Sequence, residues 1–360
     1  MSTKNQVLEA LLPLKKGSFL SGEELASSCS LSRTAIWKAI RSLQEDGYQI
    51  EAVTNRGYRI LSLPDKLDAN LISSNLKEYA ASGLKVFVFD ELDSTNSEAK
   101  RRAVEVGAFR DQAGRLTEKG KTAHLSLFAA ESQTGGKGRL GRAFVSPKNC
   151  GLYFSLLYSP LGGVKNPALY TAAAALSVTR AISKIYGEES QIKWVNDVFL
   201  AGKKVSGILV EGIANFESGM IDAVVVGIGI NIRKNPELSG EITKIAGSIE
   251  EAKSLKDENM PEQSKNALIS EVVKNLIDFY GAFESDDEKA KSKMIEEYRS
   301  LSMLTGKSVS VNPVAGLSGQ SYKATVKDVD EEMRLVVECQ DGKILRLNSG
   351  EVSLHSYDFV

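Results

Sequence analysis

The chain is poor in the residues that build redox and metal centres. Of its 360 residues only three are cysteine (Cys29, Cys150 and Cys339) and two are histidine (His124 and His355). The cysteines lie far apart and no C-x-x-C pair occurs, so neither a disulfide scaffold nor a zinc site of soft ligands is expected, and no metal-ligating residue is assigned. A reducing cytoplasm is the expected compartment. Net charge is lacking too, with 45 Lys and Arg against 46 Asp and Glu. Such a balance gives no global field to hold nucleic acid or an anionic membrane, and any contact of that kind has to be local. Lys4, Asn5, Gln6 and Glu9 precede the first apolar stretch, which is not the pattern of a secretory signal. The most apolar long segment, residues 168–182, is broken by Thr171, Ser177, Thr179 and Arg180, so no membrane span is expected. Repeats and low-complexity tracts are absent. What is present is 42% hydrophobic and 25% charged, the composition of a globular protein of two or three domains.

Character changes near Pro64 and again near Leu301. Before the first change the pattern reads helix, helix, helix, hairpin. Ser21-Gly22-Glu23-Glu24 has the form of a capping box, and Ser32 can cap a third helix that runs to about Glu45. At 100° per residue, Ile36, Ala39, Ile40 and Leu43 share one side of that helix while Thr34, Trp37, Lys38 and Arg41 gather on the other. Residues 32–44 contain three basic side chains and no acidic one, which suits a helix approaching phosphates and base edges. A solvated polar face reads the same way, and the net charge of residues 1–63 is only +2, from eight basic and six acidic residues. Arg56 and Arg59 in the candidate wing favour DNA. Arg33, Thr34, Trp37, Lys38, Arg41 and Arg56 are therefore the candidate DNA contacts.

Residues 65–300 alternate strand and helix patterns. Strands are expected at 85–89, 125–130, 152–158, 192–195, 205–211 and 221–232, with an alanine-rich helix at 170–186 and another marked by Leu268, Val272, Leu276 and Tyr280. The polar stretches 107–123 and 247–264 read as irregular surface connections. The last 60 or so residues hold short strands separated by acidic and Asp-Gly turns, the pattern of a small barrel.

Chemically, residues 133–146 (QTGGKGRLGRAFVS) stand out, with four glycines and three cations within eight residues. Gly135, Gly136, Gly138 and Gly141 permit close backbone approach, and Lys137, Arg139 and Arg142 supply charge for phosphate oxygens. A flexible surface turn has a similar composition. The segment matches neither a Walker A motif nor a dinucleotide fingerprint.

Four companions bear on that choice: DSTN at 93–96, KWVND at 193–197, SGILVEG at 206–212 and VGIGINI at 226–232. With the glycine loop, in this order and spacing, they resemble the biotin protein ligases, and the N-terminal segment matches the bifunctional type that also represses biotin genes. The resemblance covers essentially the whole chain; GEVSLH at 350–355 looks like the closing strand of that family's C-terminal barrel. It departs from the family pattern at Lys137 (commonly Arg), Val195 (commonly Pro), Phe144 (often Trp) and in the longer 107–123 connection, which has no assigned role.

The resemblance implies an α+β multidomain protein: a winged helix-turn-helix DNA-binding domain (1–64), a central α/β mixed-sheet domain binding biotin and ATP (65–300), and an SH3-like β-barrel (301–360). It implies an ATP-dependent ligase that makes biotinyl-5′-AMP and passes biotin to a lysine of an apo biotin carboxyl carrier protein. Lys193 and Arg139 become the candidate catalytic residues. Biotin would meet Ser94, Thr95, Asn96, Gln133, Lys137, Gly138, Arg139, Lys193, Gly207 and Ile208, and the phosphates Lys137, Arg139, Arg142 and Lys193. By residue chemistry alone, Ser94 and its neighbours could equally cap a helix, and Lys193 could be a strand-end lysine. Mg²⁺ is expected to arrive with ATP, since the motifs hold no carboxylate cage. Operator DNA and, with biotinyl-AMP bound, a homodimer complete the expected partners. Alternatives are a lipoyl or octanoyl transferase-like enzyme, whose R-R-x-x-G-G-G segment is absent, and a DNA-binding biotin sensor without turnover.

Overall fold

The computed structural model describes residues 2–15, 17–111, 113–215, 219–254, 264–312, 321–348 and 351–354. Two compact units are present, residues 1–80 with 262–270 and residues 81–261 with 271–360.

In the first unit, α1 (Thr3–Leu11), α2 (Gly22–Cys29) and α3 (Arg33–Glu45) precede a hairpin of β1 (Gln49–Val53) and β2 (Gly57–Ser62), then α4 (Ala69–Asn75). The capping box is formed: Ser21 Oγ accepts from the Glu24 N–H, and the Glu24 carboxylate accepts from the Ser21 N–H. Ser32 Oγ accepts from Ala35 N–H and starts α3. Val7, Leu8, Leu11 and Leu25 close on Ile36, Ala39, Ile40 and Leu43, with Tyr48 and Ile50 beneath. Burying that face of α3 leaves Arg33, Thr34, Trp37, Lys38 and Arg41 exposed, as is Arg56 in the hairpin turn. The Arg41 guanidinium lies 5.0 Å from the Trp37 ring, and Arg56 lies 4.2 Å from that of Phe19. Buried Asp68 caps α4, accepts from the Tyr48 hydroxyl at 3.1 Å, and donates its N–H to Asn266 Oδ1 at 2.9 Å.

The second unit contains β3 (Lys85–Leu92), α5 (Thr95–Val106), α6 (Glu118–Ala123), β4 (Ser126–Gln133), β5 (Gly151–Tyr158), α7 (Pro167–Tyr186), β6 (Gln191–Lys193), β7 (Asp197–Leu200), β8 (Lys203–Ala214), β9 (Ile221–Asn231), α8 (Ile242–Ile245) and α9 (Ile249–Ser254). Next come α10 (Ser264–Glu284), whose first residues group with the first unit, and α11 (Glu288–Ser300). The seven strands form one sheet in the order β3-β4-β5-β9-β8-β7-β6, parallel only between β3 and β4. Buried along its whole length, β5 lies next to β9, whose interior is buried too, which explains their uninterrupted apolar runs. Asn166 caps α7, Pro167 occupies its first turn and Gly187 ends it in the left-handed conformation. A five-stranded antiparallel sheet follows, ordered β13-β12-β11-β10-β14: β10 (Ser308–Asn312), β11 (Tyr322–Val329), β12 (Leu335–Cys339), β13 (Ile344–Leu347) and β14 (Glu351–Leu354). Gly350 and His355, expected at the ends of that last strand, lie outside the described residues.

Three expectations are corrected. Residues 107–123 are not irregular throughout, because they contain α6 and an antiparallel bridge between Arg110 and Leu116. Their anchor is the Arg110 side chain, buried and donating to Gly114 O, Ser159 Oγ and Pro160 O beside Asp222. A polar stretch held by one buried arginine has no apolar periodicity to announce it. Residues 249–254 likewise form α9 within a stretch read as loop. The strand expected over 192–195 ends at Lys193, and Trp194, Val195 and Asn196 make the turn into β7. Among the described residues no helix is long and apolar enough to cross a membrane, and no cluster of three or more His, Cys, Asp or Glu could hold a metal ion.

Candidate active site

One cleft gathers most of the residues that the motifs single out. Its walls include Ser94, Thr95, Asn96, Gln133, Lys137, Gly138, Arg139, Gly207 and Ile208. Lys193 and Arg142 are not on the walls. Lys193 closes the β6–β7 hairpin opposite Asp197, with its Nζ 5.9 Å from the centre of the Phe199 ring.

At one end the cleft is built from neutral polar groups. Ser94 is the N-cap of α5 by position, yet its side chain makes no capping hydrogen bond. Thr95 donates through its N–H (2.8 Å) and hydroxyl (3.2 Å) to Gln133 Oε1, and Gln133 Nε2 donates to Ser146 Oγ at 2.9 Å. Asn96 Nδ2 donates to Leu209 O and to the Glu211 carboxylate, while Ser155 Oγ donates to Asn96 Oδ1 at 2.6 Å. Burial alone would raise the pKa of Glu211, but hydrogen bonds from Lys100 and Asn96 outweigh it and hold the carboxyl below its ordinary value. Asp93, at the exposed lip, is held down at about 2, mainly by hydrogen bonds from Arg101.

Glycine spacing in β8 and β9 makes this packing possible. A Cβ on Gly227 would stand 1.9 Å from Asn96 Oδ1, and one on Gly229 would stand 2.4 Å from the Phe144 ring, so both side chains lie where the sheet has none. The glycine-rich segment is a hairpin-like excursion over this patch, closed by bridges between Gln133 and Ser146 and between Lys137 and Ala143. Gly138 N–H donates to Arg142 O at 2.7 Å, and Phe144 N–H to Gly136 O at 2.9 Å. Arg139, Leu140 and Gly141 form its tip, with Leu140 in the left-handed conformation and half exposed.

Positive charge collects at the other end. Lys137, Arg139 and Lys204 line the cleft, and among the described residues no carboxylate does. Lys137 Nζ donates to Ser97 Oγ at 2.9 Å. Arg139 donates to Asn196 Oδ1 at 2.7 Å, Asn196 donates to Ile208 O and Asp197 Oδ1, and Asp197 pairs with Lys204 at 2.6 Å. The loop cation is thus tied through one amide to the β6–β7 turn and to a second cation on β8. Such an arrangement binds an anion at the charged end while presenting fixed amides and hydroxyls to an uncharged group at the other. Sequence reasoning missed Phe144, Asn196, Lys204, Leu209, Gly227, Ile228 and Gly229 as wall residues. Asn196 and the two glycines were inside motifs already quoted, whereas Lys204 precedes its motif by two residues, and only the β7–β8 hairpin brings it in.

Gly227→Ala is expected to cost about 1–3 kcal/mol of unfolding free energy through overpacking against Asn96. Gly281→Ala, in open space on α10, should be neutral or slightly stabilising. Denaturant melts of the two variants check the contrast.

Three family descriptions match the chain: an HTH domain over residues 3–59, the Biotin/lipoate A/B protein ligase family over 115–231, and the biotin protein ligase C-terminal domain over 312–355. The bifunctional ligase/repressor BirA of Bacillus subtilis is 32% identical over 252 residues, covering 70% of this chain and 72% of that protein. The Escherichia coli protein of the same description is 26% identical over 353 residues, 97% of each chain. Among solved structures, the biotin protein ligase of Aquifex aeolicus in complex with biotin and ATP superposes with a TM-score of 0.57 at 25% identity, covering 75% of this chain and 98% of that one. With the motifs in order, the cleft assembled from them and a helix-turn-helix segment in front, the chain belongs to the biotin protein ligase family, among its bifunctional ligase/repressors.

Proposed function

We propose that the cleft joins biotin to ATP as biotinyl-5′-AMP, with release of pyrophosphate, and then transfers the biotinyl group to a lysine of an apo biotin carboxyl carrier protein. One observation carries this reading: a cleft with an amide-and-hydroxyl end, a three-cation end and, among the described residues, no carboxylate on its walls. Ser94, Thr95, Asn96 and Gln133 meet the ureido ring of biotin, and Gly207 and Ile208 its apolar side. Lys137, Gly138 and Arg139 cover the carboxylate and the phosphates, with Arg142 reaching the phosphates from the loop's return. Attack of a carboxylate on an α-phosphate brings two anions together, so preorganised cations lower the barrier. Lys193, at the end of β6, is the proposed group for that role, and Lys204 on the wall is already paired with Asp197. Magnesium belongs with the triphosphate: Asp197 is engaged by Lys204 and Asn196, and among the described residues no cluster of three or more His, Cys, Asp or Glu could hold the ion.

Residues 1–64 are proposed as a winged helix-turn-helix that binds the operator of biotin genes through Arg33, Thr34, Trp37, Lys38, Arg41 and Arg56. Residues 65–300 form the ligase domain, and the antiparallel sheet within 301–360 is read as an SH3-like barrel. One recognition helix with modest local charge is too small for specificity, so two copies on two half-sites are the proposed solution, with adenylate ordering the glycine loop and favouring the homodimer. A cytoplasmic location is supported by the low cysteine content, three residues with no C-x-x-C pair.

Two outcomes are expected. Lys193→Ala slows adenylate formation on the order of 10²-fold or more with biotin binding retained, while Lys204→Ala slows it less, measured by single-turnover formation of labelled adenylate. An equal or larger loss in Lys204→Ala moves the charge role to that residue. Biotin with ATP should also tighten binding to a biotin-gene promoter fragment at fixed salt, and deletion of residues 1–63 should abolish it; affinity indifferent to the ligand contradicts the coupling.

A further inference from the structure

The neutral end of the cleft has a hydrogen-bond direction, and its source lies behind the walls. Leu209 and Glu211 alternate onto one face of β8, and Asn96 and Lys100, one turn apart on α5, share the helix face that meets them. Lys100 Nζ donates to one Glu211 oxygen and Asn96 Nδ2 to the other, at 2.8 Å. Thr95 and Asn96 line the cleft, whereas Glu211 and Ser155 stand behind it.

An ionised carboxylate can only accept, and the hydrogen bonds from Lys100 and Asn96 favour that form of Glu211. The Asn96 amide therefore turns its nitrogen to Glu211 and to Leu209 O, at 3.3 Å, which uses both Nδ2 hydrogens and leaves Oδ1 facing Ser155. Ser155 is fully buried, and its hydroxyl has one proton, taken by the 2.6 Å contact to Asn96 Oδ1. Ser155 cannot donate to Thr95 as well. Across their 2.7 Å contact the proton comes from the Thr95 hydroxyl, which shares it with Gln133 Oε1 at 3.2 Å. Each proton of the chain from Thr95 through Ser155 and Asn96 to Glu211 is thus committed within the protein, and what Thr95 Oγ1 and Asn96 Oδ1 retain for a ligand is lone pairs.

We propose that Glu211 is a positioning residue that sets the hydrogen-bond polarity of this end, so that Thr95 and Asn96 accept from ligand N–H groups and disfavour a ligand without them. Acceptors buried against a group that cannot donate are costly, which converts direction into selectivity. The inference rests on the reading of this end as the place of the ureido ring.

Glu211→Gln tests it, because the variant keeps size and hydrogen bonding but loses direction. Lys100 has only donors and takes the new amide oxygen; the amide nitrogen then turns to Asn96 and opposes its orientation. Calorimetric titration of the full-length chain with biotin is expected to show binding weakened at least about ten-fold, with adenylate formation at saturating biotin within about three-fold of wild type. Preference for biotin over an analogue with oxygen in place of both ring N–H groups, at least about ten-fold in wild type, should fall to about three-fold or less. Adding Lys100→Met removes the donor that orients the new amide and should restore biotin affinity to within about three-fold of wild type, whereas a merely structural ion pair allows no such recovery. Unchanged affinity or selectivity in Glu211→Gln, a fall in kcat as large as that in affinity, or a double variant no better than the single one overturns the proposal. Failure of the wild-type chain to bind biotin overturns the reading of the cleft itself, and this inference with it.

Discussion

Everything at the first cleft depends on a patch of sheet without side chains. Gly207, Gly227 and Gly229 lie next to one another across β8 and β9, Gly207 directly opposite Gly229, and their missing Cβ atoms are where Asn96 and Phe144 sit. A helix start and a loop can therefore approach the sheet at contact distance. Asn96 is fixed by that approach and, through Glu211 and Lys100, by a charged pair on the far side. Phe144 is fixed by it as well, and since Phe144 sits at the return of the glycine excursion, the cation-bearing loop is seated by an apolar ring rather than by its charges.

Charge then has a defined place. Lys137 and Arg139 reach Ser97 and Asn196, both neutral, whereas Lys204 is paired with a carboxylate, Asp197. Two loop cations held by uncharged partners keep most of their field for an anion, which a pair of salt bridges would have spent within the protein. The polar side of α3, proposed to contact DNA, follows a different plan: Arg33 is paired with Glu23, and Trp37 carries Arg41 over its ring, so its groups are exposed and modest in charge.

Elements with strong periodicity or capping chemistry were legible before any coordinates. The apolar face of α3, the Ser21 capping box, the alanine-rich α7 and the buried runs of β5 and β9 each carry a local signal that the tertiary structure reinforces. The 107–123 connection was opaque because a single buried arginine, Arg110, orders it through long-range hydrogen bonds. At the cleft, motif residues on one continuous segment could be grouped from the sequence. Lys204 was not singled out, because it stands outside its motif and only the β7–β8 hairpin, whose register is a three-dimensional fact, brings it to the wall.

Hydrogen exchange of the full chain, with and without biotin plus ATP, tests the central claim that the ligand lies on the glycine patch beneath the cationic loop. The account predicts that ligand slows exchange at residues 133–146, at the start of α5 and at the turn holding Asn196, with little change in the five-stranded C-terminal sheet. Unchanged exchange in those three segments under saturating ligand, with protection appearing elsewhere in the chain, would contradict it.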